Sequence, residues 1–273
     1  MTQPVLEHTI VRGPEEPRSW LYLIHGIYGS GRNWGNIARP LVAAEPGWGV
    51  VLVDLRLHGG SRTGFDAPHT LLRCAEDVLR LESHLGLPAD VLLGHSFGGK
   101  VALVRAEQAP HPRQVWVIDS TLRVGPPTGS AWRVIEIVRT LPRSFSSREE
   151  LADMMVSHGF ARPVGLWLAM NLERGADGFV WKLDWQGVEE MLLDYFSADV
   201  WPVIEQPPVG TDFHIVRATE SDAIDAESRA RVRSAGESNG RVSLHEIPGG
   251  HWVNVDNPEG VLDALMRFLP API

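Results

Sequence analysis

Val91-Leu92-Leu93-Gly94-His95-Ser96-Phe97-Gly98-Gly99-Lys100 is the stretch on which the reading of this chain turns. Three apolar residues lead into Gly94, Ser96 follows, and Gly98 and Gly99 open a run with helical patterning. This is G-x-S-x-G set between a buried strand and a helix, and that setting gives the motif mechanical meaning. A serine on so tight a turn stands clear of the sheet. Glycines on either side remove the Cβ atoms that would clash there. The helix behind it aims unpaired N–H groups and the positive end of its dipole at the same point. The motif alone is common by chance, so its meaning depends on what the other strand ends supply.

On the N-terminal side, residues 8–11 read as a short strand. Trp20-Leu21-Tyr22-Leu23-Ile24 is a continuous apolar run closed by His25-Gly26, the pattern of a strand buried on both faces. Residues 34–44 predict a helix, and Val50-Val51-Leu52-Val53 a second buried strand ending at Asp54. From about 68 to 85 the apolar residues Leu71, Leu72, Val78, Leu79, Leu81 and Leu85 recur at helical spacing, and Gly86 and Pro88 stop that helix. Beyond Ser96, a helix over about 98–108 precedes Val115-Trp116-Val117-Ile118, a buried strand ending at Asp119. Strand and helix alternate, which implies a mostly parallel sheet with helices on both faces.

The alternation breaks over residues 121–205. That stretch carries mostly helical patterns and no clear strand, and it is bracketed by Pro126-Pro127 and Pro207-Pro208. Trp132, Trp167, Trp181, Trp185 and Trp201 lie inside it. It reads as a helical cap inserted into a core formed by residues 1–120 and 206–273. Its tryptophans are expected to line an apolar pocket, and residues 171–179, polar and glycine-bearing, to form a mobile loop. The alternation then resumes with a strand over 213–216, a helix over 223–234, a strand over 242–247 and a last helix over 258–268.

Composition narrows the function. A net charge of −9 argues against a nucleic-acid binder, which needs a basic face. The single cysteine, Cys74, allows no disulfide within the chain and no cysteine zinc site. No apolar run approaches the roughly 20 residues needed to span a bilayer. Met1-Thr2-Gln3-Pro4 does not read as the start of a secretory leader. The expected location is cytoplasmic.

Loops at the carboxyl ends of parallel strands gather along one edge of the sheet, where ligands bind. His25, Asp54, Ser96, Asp119, Ser221 and His251 all fall at such ends. The set contains a nucleophile, an acid and a base in the order Ser…Asp…His. Ser96 is the candidate nucleophile and needs a base within hydrogen-bond reach. His251, between Gly250 and Trp252 after the last strand, is the candidate base. His95 is expected to point away from Ser96, and His25 and His58 to brace loops. The acid that orients the base is Asp119 or Asp222, with Asp119 favoured. Two backbone N–H donors, of Phe97 and Ile27, are the candidate oxyanion site.

Leu23-Ile24-His25-Gly26-Ile27-Tyr28-Gly29-Ser30, Val53-Asp54-Leu55-Arg56-Leu57-His58-Gly59-Gly60-Ser61, Gly94 to Lys100 and Gly250-His251-Trp252-Val253 together resemble the α/β-hydrolase family. More narrowly they resemble the short acyl-esterase branch found in bacteria and mitochondria. The resemblance spans nearly the whole chain and is weakest in the insertion. It implies an acid after the strand ending at Ile118, in favour of Asp119. The commoner family position falls on Ser221, one residue short of Asp222, which keeps Asp222 as the alternative. Ser96 excludes the related dehalogenating enzymes, whose nucleophile is an aspartate. The expected activity is hydrolysis of a small acyl ester or thioester through an acyl-enzyme on Ser96, with no metal or organic cofactor. Acyl transfer or peroxide-dependent chemistry on the same three residues, and a non-catalytic ligand receptor on the same fold, are the alternatives.

Overall fold

The computed structural model describes residues 4–273; residues 1–3, part of the segment read as carrying no leader, lie outside the described residues. A seven-stranded sheet runs through the molecule in the order β1-β3-β2-β4-β5-β9-β10. Its strands are β1 (His8–Arg12), β2 (Ser19–Ile24), β3 (Trp48–Val53), β4 (Val91–His95), β5 (Gln114–Ile118), β9 (Asp212–Ala218) and β10 (Val242–Ile247). Only the edge strand β1 is antiparallel to its neighbour; every other pairing is parallel. Strands β2 to β5 are buried at every position, which explains why they read as unbroken apolar runs.

Successive side chains of β2 point to opposite faces. Leu21 and Leu23 join a core with Trp34, Leu41 and Leu265, under α1 (Gly35–Ala44) and α11 (Pro258–Phe268). Tyr22 and Ile24 join the other core with Val78, Leu81 and Val101, under α2 (Leu71–Leu85) and α3 (Phe97–Ala106). Helix α2 starts where the Thr70 side chain accepts the Arg73 N–H at 3.2 Å. It ends at Gly86, whose φ of +67° suits a left-handed cap. The predicted core elements are all present, with boundaries moved by a few residues.

Between β5 and β9 the chain forms α4 (Gly129–Val138), β6 (Ser144–Phe145), α5 (Arg148–Ser157), α6 (Arg162–Leu168), β7 (Leu172–Gly175), β8 (Gly178–Trp181), α7 (Trp185–Ser197) and α8 (Trp201–Glu205). The expectation of no strand here is corrected: β6, β8 and β7 make a small antiparallel sheet. Strands of two to four residues are too short for a period of two to emerge from the sequence. The expected mobile loop over 171–179 is corrected too. Leu172 pairs with Trp181 and Arg174 with Phe179 in a hairpin, and the Asn171 amide donates to the Tyr28 carbonyl at 2.8 Å. Gly178 closes this turn with φ +133°, where a Cβ would lie 2.4 Å from the Phe145 carbonyl oxygen.

Helix α9 (Ala226–Asn239) and the short α10 (Val253–Asp256) complete the fold. Among the described residues no helix is long and apolar enough to cross a membrane, and no group of three or more His, Cys, Asp or Glu side chains is placed to hold a metal ion.

His214 of β9 and His245 of β10 share a hydrogen bond of 2.9 Å. The His214 ring stacks on Trp116 with centroids 4.1 Å apart. Burial, reinforced by His245, pushes His214 down to about 3, and burial likewise lowers His245. His58 and His95 are also buried and pushed down to about 3. A histidine near 3 in the folded chain and about 6.5 unfolded binds its proton first in the unfolded state, so its contribution is present above 6.5 and lost as pH falls toward 3. Each such group should cost about 2 kcal/mol of stability between pH 7 and pH 5. Thermal melts should therefore show the midpoint falling steeply over that interval; a flat profile would contradict neutral buried histidines at 58, 95 and 214.

Candidate active site

The crossing at Gly94 and Gly98 sets the geometry. A Cβ on Gly94 would lie 1.9 Å from the Gly98 carbonyl oxygen, and one on Gly98 would lie 2.5 Å from the carbonyl oxygens of Ile24 and His25. Only glycine lets these backbones touch, and that contact forces the chain through a sharp turn at Ser96. Ser96 adopts φ +51° and ψ −118°, a strained conformation for a residue with a side chain. Its N–H donates to the Ile118 carbonyl at 2.9 Å.

Asp119 leaves β5 with φ +45°. It is completely buried. One carboxylate oxygen accepts the Ala218 N–H at 3.0 Å, and the other accepts from His251 Nδ1 at 2.8 Å. His251 sits in the loop between β10 and α10, half-buried, with Nε2 3.1 Å from Ser96 Oγ. Because Asp119 accepts the Nδ1 proton, Nε2 is left as the acceptor for the serine hydroxyl. The loop is held by the Asn36 amide on the Asn254 carbonyl at 2.9 Å and by Gly250 N–H on Asp256 at 3.0 Å.

Asp222 is exposed and makes no hydrogen bond to His251. Ser221, at the commoner family position of the acid, accepts the Ala223 N–H at 3.2 Å and only shapes its own turn. Of the two candidates, the fold brings Asp119 to the histidine.

The loop after β2 lies against the serine: a Cβ on Gly26 would be 3.3 Å from Ser96 Cβ. Two buried histidines brace this loop, as expected. His25 Nε2 accepts the Leu55 N–H at 3.0 Å, and His58 Nε2 accepts the Tyr28 N–H at 3.1 Å while its Nδ1 donates to the Arg56 carbonyl at 2.9 Å. Burial keeps both imidazoles neutral, so each has a lone pair for these N–H groups. Ile27 N–H has no partner among the described residues, and Phe97 N–H opens α3 without an intrahelical acceptor. Phe97 directly follows the serine, and Ile27 lines the same cavity as Ser96.

His95 lies against the base. Its ring packs beside His251, with centroids 4.9 Å apart, and its Nε2 donates to the His251 carbonyl at 2.7 Å. Burial and the neighbouring His251 hold it down near 3. It packs against the base as a neutral imidazole. Nothing in the sequence marked it beyond its place next to Ser96.

Two cavities meet at Ser96 and His251. One, of about 200 Å3, is lined mainly by apolar side chains including Ile27, Val134, Phe160, Val164, Trp167 and Trp252. The other, of about 760 Å3, opens between Thr121 to Ala131, Tyr195 and the Glu220 to Ala223 loop. Of the five tryptophans in the insertion, Trp167 alone lines either cavity. The others pack within the fold, as Trp181 does edge-on against Trp185 at 4.8 Å. The hairpin of β7 and β8 contributes to neither wall.

Residues 21–264 match the alpha/beta hydrolase family. The chain belongs to that family, and it is a hydrolase. It is 28% identical over 259 residues to the sn-1-specific diacylglycerol lipase ABHD11 of Mus musculus, covering 91% of this chain and 80% of the lipase. It is 26% identical over 252 residues to a putative esterase/lipase of Haemophilus influenzae, covering 91% and 82%. A solved structure titled marine microorganism esterase superposes with a TM-score of 0.82 at 24% identity, covering 97% of this chain and 99% of the other, a likeness of fold.

Proposed function

We propose that the chain is a serine hydrolase that cleaves small carboxylic esters or thioesters through an acyl-enzyme on Ser96. The observation that supports this most directly is the unbroken relay of Asp119, His251 and Ser96, with hydrogen bonds of 2.8 and 3.1 Å. Relatives named as esterase and lipase support an ester as the bond attacked. His251 takes the Ser96 proton as Oγ attacks the acyl carbonyl. The carbonyl oxygen gains charge and is met by the N–H groups of Ile27 and Phe97. His251 then protonates the leaving group, and a water activated by the same imidazole releases the acid. Asp119 holds the imidazole tautomer and faces its positive form. Residues 121–205 act as the cap over a core of 1–120 and 206–273, and the smaller apolar cavity beneath it takes the acyl group.

A fluorophosphonate probe tests the nucleophile directly. The expected result is one adduct per chain, on the Ser96 peptide, with loss of hydrolysis of p-nitrophenyl esters in proportion to labelling. An unlabelled Ser96 would favour a ligand receptor on this fold. Product analysis with a competing alcohol or peroxide separates hydrolysis from transfer.

A further inference from the structure

Tyr28 sits one residue beyond Ile27 and has no part in the relay described above. It is the third of four residues in a turn closed by Gly29 N–H on the Gly26 carbonyl at 3.0 Å. That hydrogen bond fixes the peptide plane that carries the Ile27 N–H. Tyr28 has φ +64°, and at this place in a turn such a value favours glycine. A tyrosine here carries backbone strain, which points to a task for its side chain. The side chain is 3% exposed, with its ring 5.6 Å from Trp185 and 6.3 Å from Trp167. Its hydroxyl donates to the Ala131 carbonyl at 2.7 Å. Burial holds the phenol well above its ordinary value, so the donor keeps its proton through the neutral range. The Tyr28 N–H and carbonyl are taken by His58 and Asn171, so the hydroxyl extends from a fixed backbone.

Ala131 is where this contact matters. Apart from Ser96 and His251, only Ser130 and Ala131 border both cavities among the described residues. The first turn of α4 is thus the wall between an apolar space of about 200 Å3 and an open one of about 760 Å3. Little else holds that turn. Thr128 makes no side-chain cap bond, and the buried face of α4 begins only at Val134. Gly129 and Ser130 are exposed. Among the described residues no other side chain hydrogen-bonds to residues 126–132.

We propose that Tyr28 is a specificity-determining residue for ester cleavage: its hydroxyl holds the first turn of α4 as a wall that confines the acyl group to the smaller cavity, so that short acyl groups are preferred over long ones. The proposal rests on the serine-hydrolase reading and on the acyl group occupying that cavity. With the wall fixed, an acyl chain longer than the cavity has to displace the turn at Ser130 and Ala131 and break the Tyr28 hydrogen bond. A short chain leaves it intact. With the hydroxyl gone, the turn gives way and a long chain runs on into the larger cavity. Discrimination between the two chains is the difference in what they cost at this wall.

The test is Tyr28→Phe in the full chain, with active sites titrated by fluorophosphonate and kcat and KM measured on p-nitrophenyl butyrate and octanoate. The unsubstituted protein is expected to favour butyrate in kcat/KM. In the variant that preference should narrow by about 3- to 10-fold, chiefly because KM for octanoate falls relative to KM for butyrate. A tyrosine that merely supports the fold would change both esters by the same factor, and that result would overturn the proposal. So would an unsubstituted protein with no preference for butyrate. If Tyr28→Phe does not fold, Ser130→Leu bulks the same wall from its exposed side and leaves Tyr28 in place. The preference for butyrate should then widen by about threefold or more, and an unchanged or narrowed preference would equally overturn the assignment. Failure of the underlying reading looks different: the unsubstituted protein would take no label on Ser96 and cleave neither ester.

Discussion

Ser96→Ala is expected to lower kcat toward short p-nitrophenyl esters by about 10⁶-fold while leaving the fold intact. The hydroxyl is the only group on that turn able to form the acyl-enzyme. Among the described residues its one side-chain hydrogen bond is to His251 at 3.1 Å. Removing it takes away the bond-forming atom and leaves His251 and the free N–H groups of Ile27 and Phe97 in place. Residual turnover would then come from water activated by His251 in a site that still binds the carbonyl. Circular dichroism and thermal melts should match the parent protein, so the loss is chemical. A variant that keeps the full rate would remove Ser96 from the mechanism.

Asp119→Asn is expected to cost about 10⁴-fold in kcat at neutral pH. The carboxylate is fully buried and accepts two donors, Ala218 N–H at 3.0 Å and His251 Nδ1 at 2.8 Å. An asparagine keeping the Ala218 contact turns its amide toward Nδ1 as a donor. That favours the tautomer with hydrogen on Nε2, which faces Ser96 and cannot take its proton. The shape of the site survives while the direction of proton flow is blocked. Asp222→Asn alters an exposed side chain and should change kcat by less than about twofold. Steady-state kinetics on the two variants check both statements, and the reverse ranking would move the acid to Asp222.

The sequence carried the core of the fold because its central strands are buried on both faces. Trp20 to Ile24, Val50 to Val53 and Val115 to Ile118 need no alternation to be seen. Ser96 and His251 were legible for a related reason: a strand–glycine–helix junction and chain order confine them. Asp119 and Asp222 could not be separated that way. Both follow parallel strands, and only the sheet order, with β5 beside β9, places one carboxylate on Ala218 N–H and His251. His95 was hidden for a different reason. It meets the site through one hydrogen bond across the fold, to the His251 carbonyl, and no spacing in the chain encodes it. The small sheet of the insertion escaped because its strands are shorter than the period needed to recognise them.

The positive φ angles of Ser96 and Asp119 bear on how this protein could change over time. Neither residue is glycine, and holding such a backbone costs about 1–3 kcal/mol per site. The surrounding structure supplies that energy so that two side chains can meet one imidazole. Selection for folding alone would therefore favour glycine at position 96, whereas at position 119 glycine would leave Ala218 N–H and His251 Nδ1 without their acceptor. Directed evolution for heat resistance needs an activity screen at every round, because one such gain lies at the proposed nucleophile.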